Sequence, residues 1–339
     1  MSNGISIIIC CHNSAARIPM VLKNLSFQKH VDNINYEIIV VDNASSDDTA
    51  EVAEKSWIGK PGVFKVIYEK KPGLSYARMA GLAASNYDVV NFIDDDNLVN
   101  PEWIYTIDGI MKRNDSIGML GGLGIPKFDS QPPHWFTKFQ DAYAVGPQGE
   151  QSGFVPKSRM YLHGAGVTIR KKIWQELDNA GFQFQLTGRK GKSLSSGEDY
   201  ELSCAARILG YKLYYEEKLT FEHMIPEQRL KPAYLTNLFK AFGVASNYTF
   251  LYKTYLLGNK TSDKLKFEYW LISLLYSIYK YMRCYINHGK SNNKFNPGGI
   301  RLEYWKHNIL FKIKNPWKFI KAENEIRKFI ENATNNKVE

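Results

Sequence analysis

Four apolar runs, each closed by a polar cluster and separated from the next by a helical pattern, restrict what this chain can fold into. The runs are Ile5–Cys10, Tyr36–Val41, Val63–Tyr68 and Val89–Ile93. Between them, Ala15–Ser26 sets Ile18, Val21, Leu22 and Leu25 at helical spacing. Asp47–Lys55 follows the capping signal Ser45-Ser46-Asp47, and Leu74–Ser85 carries Ala77, Ala80, Leu82 and Ala83. Strands that alternate with helices predict an α/β fold with a parallel sheet covered on both faces. Ligands of such sheets bind beyond the carboxyl ends of the strands. Cys11-His12-Asn13, Asp42-Asn43-Ala44-Ser45, Glu69-Lys70-Lys71-Pro72-Gly73 and Asp94-Asp95-Asp96 all fall at such ends. Four loops are therefore expected to converge on one rim.

The last of these clusters is three adjacent carboxylates at a strand end. They repel one another and lose solvation there, so something must compensate. A hard divalent cation held by oxygen ligands is one answer. A solvated acidic turn is the other, with Asn97 or Asn100 capping a helix that starts at Pro101-Glu102-Trp103.

The charge of +10 is unevenly placed: residues 231–339 hold 19 Lys/Arg against 7 Asp/Glu, so the remainder is slightly acidic. A basic nucleic-acid binder is disfavoured by that neutral-to-acidic first two-thirds. Cys10, Cys11, Cys204 and Cys284 lack metal-ligand spacing and read as thiols in a reducing cytoplasm. The chain enters a strand at Ile5, so no signal peptide is expected. Residues 120–230 are less regular. They contain Gly121-Gly122, a strand-like Ala165–Ile169, a Gly/Lys/Ser loop from Gly188 to Gly197, a helix opening at Gly197-Glu198-Asp199, and short strands at Leu213–Tyr215 and Thr220–Glu222. Beyond Pro232 helical, aromatic and basic patterns take over.

Taken in order, Ser6-Ile7-Ile8-Ile9, Val40-Val41-Asp42-Asn43-Ala44-Ser45, Gly73-Leu74-Ser75-Tyr76-Ala77-Arg78, Phe92-Ile93-Asp94-Asp95-Asp96 and Gly197-Glu198-Asp199 resemble the family 2 glycosyltransferases of GT-A fold. The resemblance covers roughly residues 4–230. It implies a mixed sheet flanked by helices, with a catalytic unit over 1–230 (a nucleotide-binding half, 1–118, and an acceptor-side half, 119–230) and a helical extension over 231–339. It also implies an inverting transfer of a sugar, from a nucleotide-diphosphate donor (UDP-sugar first), to a hydroxyl of a glycan or lipid-linked glycan. By position Asp42 would meet the nucleotide base, with His12 and Asn13 lining the same pocket. Gly73 would let its loop approach the nucleotide, and Arg78 would neutralise phosphate oxygens. The family's usual Asn after that arginine is Met79 here, which leaves no polar role at 79. Asp94 would contact ribose or metal-bound water, Asp95 would support either neighbour, and Asp96 would hold Mn²⁺ or Mg²⁺ on the diphosphate. His223 is a candidate further ligand, and its use would favour manganese. Asp199 corresponds to the base that deprotonates the acceptor hydroxyl.

Four more residues are candidates for sugar or acceptor contact: Glu198 beside the base, Trp135 as a stacking surface or a core aromatic, Arg189 in the basic loop with Lys190 and Lys192, and Arg229 for a lipid-linked diphosphate. His163-Gly164-Ala165-Gly166 resembles the family's sugar-side wall.

The longest uncharged stretch in residues 267–286 is Tyr269–Tyr279, 11 residues, too short to span a bilayer. Its aromatics and flanking cations suit a helix lying on an anionic membrane surface; a buried helix or a homodimer contact are the other readings. The enzyme expected is cytoplasmic and peripheral on the inner face of the cell membrane. A nucleotidyltransferase that makes sugar nucleotides would want a Gly-rich basic loop after the first strand, where Cys11-His12-Asn13-Ser14-Ala15-Ala16-Arg17 stands instead.

Overall fold

The structure, a computed structural model, describes residues 2–60, 63–186, 188, 197–258, 266–288 and 297–335. Arg189, Lys190 and Lys192 lie outside the described residues.

The first half runs β1 (Ser2–Cys11), α1 (Ile18–Ser26), β2 (Tyr36–Asn43), α2 (Thr49–Ser56), β3 (Phe64–Glu69), α3 (Leu74–Ala84) and β4 (Tyr87–Asp94), so each expected strand and helix forms within a few residues of its pattern. Then follow β5 (Asn97–Val99), α4 (Trp103–Arg113), β6 (Ile117–Phe128), α5 (Phe136–Phe139), β7 (Gly153–Phe154), β8 (Thr168–Arg170), α6 (Lys171–Asn179), α7 (Glu198–Ile208) and β9 (Lys212–Ile225). Four helices close the chain: α8 (Pro232–Leu256), α9 (Lys266–His288), α10 (Pro297–Lys314) and α11 (Pro316–Asn335).

The strands form one mixed sheet in the order β3-β2-β1-β4-β8-β6-β9-β5, with β7 also on β9. β1 pairs in parallel with both β2 and β4, whereas β8 runs antiparallel between β4 and β6. Both faces of β1 are covered, which explains its unbroken apolar run. Ile5, Ile7 and Ile9 pack with Val21, Leu22 and Trp103 on one side, and Ile8 packs with Ala77 and Leu82 on the other. The chain leaves β1 toward β2 and β3 and returns to β4 on β1's opposite edge. The crevice of such a reversal opens beyond the ends of β1 and β4. Register sets Cys11 beside Asp42 and Cys10 beside Asp94 there.

Three local expectations change. Leu213–Tyr215 and Thr220–Glu222 are parts of one strand, β9, because β6 pairs in parallel along both with a register shift near Gly122. The glycines of residues 118–124, which read as irregular chain, lie inside β6; a Cβ at Gly122 would stand 2.0 Å from the Leu219 carbonyl oxygen. Asn97 is a strand residue opposite His223, and Asn100 serves the helix start by accepting from the Glu102 N–H at 3.2 Å.

Candidate active site

A cleft of about 570 Å³ opens at the carboxyl ends of β1 and β4. His12, Gly73, Arg78, Asp94, Asp95, Asp96, Glu198, Asp199, His223 and Arg229 all line it. Residues from five separate loops are thus brought to one hollow.

The β1 and β2 loops are tied by short polar contacts. His12 Nδ1 lies 2.9 Å from the Asn43 carbonyl oxygen, and the Ser46 N–H donates to Asn13 Oδ1 at 2.8 Å. Asn13 and Ala44 adopt left-handed backbone, φ 52° and 54°, to make these turns. Asn13 is exposed and does not line the cleft; its side-chain oxygen ties its loop to the one after β2. Asp42 is buried behind the cleft wall and accepts from the Ser45 N–H at 3.2 Å, the local turn bond open to a short acid. Asn43 is the strap: its side-chain amide donates to the carbonyls of Glu69 and Lys71, and its Oδ1 accepts from the Gly73 N–H at 2.7 Å. It locks the third loop onto the second. Its position inside the Asp42–Ser45 cluster was the only sequence signal for it.

The acidic triplet splits three ways. Asp94 faces the cleft. Asp95 turns back to Arg17, 2.6 Å away, and accepts from the Ser14 hydroxyl. Burial and the neighbouring Asp96 push its carboxyl pKa up, against the pull of Arg17. Asp96 faces β9: His223 Nε2 is 3.5 Å from its Oδ1 and Arg229 Nη1 3.2 Å from its Oδ2. The β5–β9 ladder sets Asn97 opposite His223, and the Met224 N–H donates to the Asp96 carbonyl at 2.9 Å, so backbone pairing fixes this meeting. Two cation-capable side chains therefore answer one of the three acids, and Arg17 answers another.

Across the cleft, α7 begins at Gly197 with φ 115°, a conformation that disfavours any side chain. A Cβ there would also come within 2.7 Å of Leu186 Cδ1. The turn projects Glu198 and Asp199 into the hollow. Asp199 accepts from the Gly164 N–H at 3.1 Å and the Tyr200 N–H at 2.8 Å. Burial first, then the charge of Glu198, raises its pKa to about 6, with Arg78 opposing. Glu198 Oε1 is 3.7 Å from Arg78, and its buried Oε2 has no hydrogen-bond partner among the described residues. Arg78 is itself buried. Desolvation works against its charge, but Glu198, Asp94 and Asp199 keep it protonated. Further along α7, buried Glu201 accepts from the Gln185 and Leu186 N–H groups and anchors the helix; burial raises its pKa to about 8.

Two features went unread in the sequence. Asp141, between His163 (2.9 Å) and Arg159 (2.9 Å), lines the cleft. Burial opposes its ionisation, but these two partners hold its carboxyl well below the usual range. Leu238, Phe242 and Thr249 of α8, with Tyr304 of α10, form one wall of the cleft, so the helical third serves the site directly. Trp135, in contrast, is 6% exposed, packs edge-on with Phe139 at 6.4 Å, and does not line the cleft. Of its two expected roles, sugar stacking is corrected to the core one: the indole packs in the cluster of Phe136, Phe139 and Tyr143.

Residues 6–178 match the family described as Glycosyl transferase family 2. The chain belongs to that family. Among curated relatives of this family 2 chain, the glucosyl-dolichyl phosphate glucuronosyltransferase of Haloferax volcanii is 25% identical over 177 residues, 51% of this chain and 54% of that protein. The poly-beta-1,6-N-acetyl-D-glucosamine synthase of Staphylococcus aureus (strain COL) is 28% identical over 119 residues, 35% of this chain and 28% of that one. The chain spans about half or less of the length of these relatives. Among solved structures, S. aureus TarS 1–349 in complex with UDP-GlcNAc superimposes with a TM-score of 0.54 at 14% identity, covering 98% of this chain and 91% of that one. That likeness is one of fold, and it confirms the GT-A architecture expected from the motifs.

Proposed function

We propose that this family 2 chain transfers a sugar, with inversion, from a nucleotide-diphosphate donor to a hydroxyl of a glycan carried on a lipid. The observation that carries the reading is Asp199: a buried carboxylate with pKa raised to about 6, fixed by two backbone N–H groups, facing the acidic triplet across one cleft. A group titrating near the working pH, rigidly held, is suited to take a proton from an incoming hydroxyl. The single displacement leaves the sugar on the acceptor oxygen and the nucleoside diphosphate as leaving group.

UDP is the first candidate donor nucleotide. TarS, of like fold, binds UDP and UDP-GlcNAc. His12, Gly73 and the neighbouring turns would hold the nucleotide, with Asp42 reaching the base only if its turn opens. Arg78 lies where it can neutralise diphosphate oxygens, and Glu198 or Asp141 can meet sugar hydroxyls.

The residues present fit a divalent cation in part. Asp96 and His223 stand together and buried, with the His223 Nε2 that faces Asp96 also 3.3 Å from Arg229 Nη1. A third His, Cys, Asp or Glu does not join them among the described residues. Mn²⁺ or Mg²⁺ would therefore be held by these two and by diphosphate oxygens, a division usual for such ions. Bound there, the cation would supply charge neutralisation for the leaving diphosphate. Arg229 shares that corner and is placed to follow the phosphates. We assign the protein to the cytoplasmic side, where sugar nucleotides are supplied, with a membrane-borne acceptor.

Thermal melting with UDP-, GDP- and dTDP-sugars, each with and without Mn²⁺, tests this reading, since a ligand that binds only the native state raises the midpoint. A rise with one nucleotide sugar that grows with Mn²⁺ is expected. No rise with any of them would sink the proposal.

A further inference from the structure

Helix α9 is built inside out. Its inward face carries Ser273 and Ser277, and the Ser277 hydroxyl accepts from the buried Lys312 ammonium of α10 at 2.8 Å. Its outward face carries Ile272, Leu275, Tyr279, Met282 and Ile286, at exposures from 49% to 72%. Surface helices of globular proteins bury such a stripe. Here it runs in the open for about 21 Å, from the rise of 1.5 Å per residue. Leu271, Tyr276, Ile278 and Tyr285 are also exposed and widen it to about half the helix circumference.

Further apolar side chains are exposed near the start of the helix. Trp270 Nε1 donates to the Lys312 carbonyl at 3.3 Å, so the start of α9 lies beside the end of α10. At that end Ile313 (56%) and Trp317 (78%) are exposed, next to the exposed Lys314 and Lys318. Arg283 flanks the stripe, and Lys280 stands over the Tyr276 ring at 5.3 Å. The surrounding third of the chain holds 19 basic and 7 acidic residues.

We propose that this face of α9, with the Ile313–Trp317 corner, lies in the surface of an anionic lipid bilayer. Two observations choose lipid over a second copy of the chain. A helix-to-helix seam needs only the narrow stripe of Ile272, Leu275, Tyr279, Met282 and Ile286, whereas the exposed band is far wider. A twofold pairing would also set the basic flanks against each other, whereas anionic headgroups attract them. No described helix is long and apolar enough to cross a membrane, so α9 would lie in the interface plane. The inference deepens the lipid-borne acceptor reading and rests on it for its purpose: α8 and α10, which wall the cleft, pack beside the docking helix.

The test is flotation of the full chain with phosphatidylcholine vesicles, with and without half phosphatidylglycerol. The chain is expected to float with the anionic vesicles and to be released by high salt. The triple variant I272S/Y279S/I286S should lower the bound fraction at least tenfold, with melting temperature and UDP-sugar binding unchanged, since all three side chains face outward. K280E/R283E/K314E, which leaves the stripe intact, should lower it at least about a hundredfold, from roughly a factor of five for each of the three cations removed, before the repulsion of the added carboxylates. Absence of flotation, equal binding to both vesicle types, or undiminished binding by both variants overturns the proposal. So does light scattering that shows a dimer, lost in the triple variant, without flotation; that result assigns the stripe to a second copy. UDP-sugar binding on the same preparations separates the two readings: flotation lost with donor binding intact sinks only the membrane face, and the reverse result sinks only the proposed activity.

Discussion

The two acidic corners of the cleft are held by opposite means. Asp96 is fixed by charge: Arg229 at 3.2 Å and His223 at 3.5 Å stand against it. Asp199 is fixed by backbone: the Gly164 and Tyr200 N–H groups orient it, and the Arg78 guanidinium beside it is shared with Glu198. A carboxylate answered by cations stays ionised and can anchor charge. A buried carboxylate next to a second acid is pushed toward its protonated form and can exchange a proton. One cleft thus gives two carboxylates opposite surroundings by changing the neighbours, not the side chain, as the anchor and base roles proposed for them require.

Removing the base should have the largest effect. Asp199→Asn keeps the shape and one of the two backbone bonds but cannot accept a proton, so turnover should fall about 10²–10⁴-fold while donor binding persists. Normal turnover in a transfer assay would erase the distinction between the corners. Next, Asp96→Ala should lower metal-dependent donor affinity about 10–100-fold, measured by titration with and without Mn²⁺. An unchanged affinity would remove the anchor role. Gly197→Ala tests whether geometry sets the base. Its φ of 115° and the close Leu186 methyl predict a loss of about 1–3 kcal/mol in unfolding free energy, read in denaturant, with lowered turnover. The smallest change is in pH dependence. As the proposed base, Asp199 would have to be ionised to act, so activity should rise with pH through about 6. Glu198→Gln removes a charge that raises this pKa, so the rise should move to lower pH; a profile that stays in place would mean burial alone sets it.

Much of the nucleotide side is legible in the chain itself. Ile7 and Ile8 alternate between two buried faces, and Arg78, Asp94 and Asp199 stand in ordered local motifs that the fold brings together. Asp42 and Asn13 are legible as strand-end residues, but not their partners: Asp42 satisfies its own turn at Ser45, whereas Asn13 reaches Ser46 of the next loop, 33 residues on. Trp135 is legible only as one of two readings: an aromatic beside Pro132-Pro133 can stack or fill a core, and only the assembled cluster with Phe136 and Phe139 decides. Asp141 and Glu201 carry no motif, since their partners come from distant segments.

The sequence by itself determined the strand-helix alternation, the cluster at each strand end and the charge imbalance of the C-terminal third, because periodicity, turn chemistry and composition are properties of neighbouring residues. Only the tertiary structure decided that His223 meets Asp96, that Gly164 orients Asp199, that α8 closes the cleft and that α9 turns its apolar face outward. Those facts depend on register and packing between segments tens to more than a hundred residues apart, where a shift of one residue in a strand reverses every side chain.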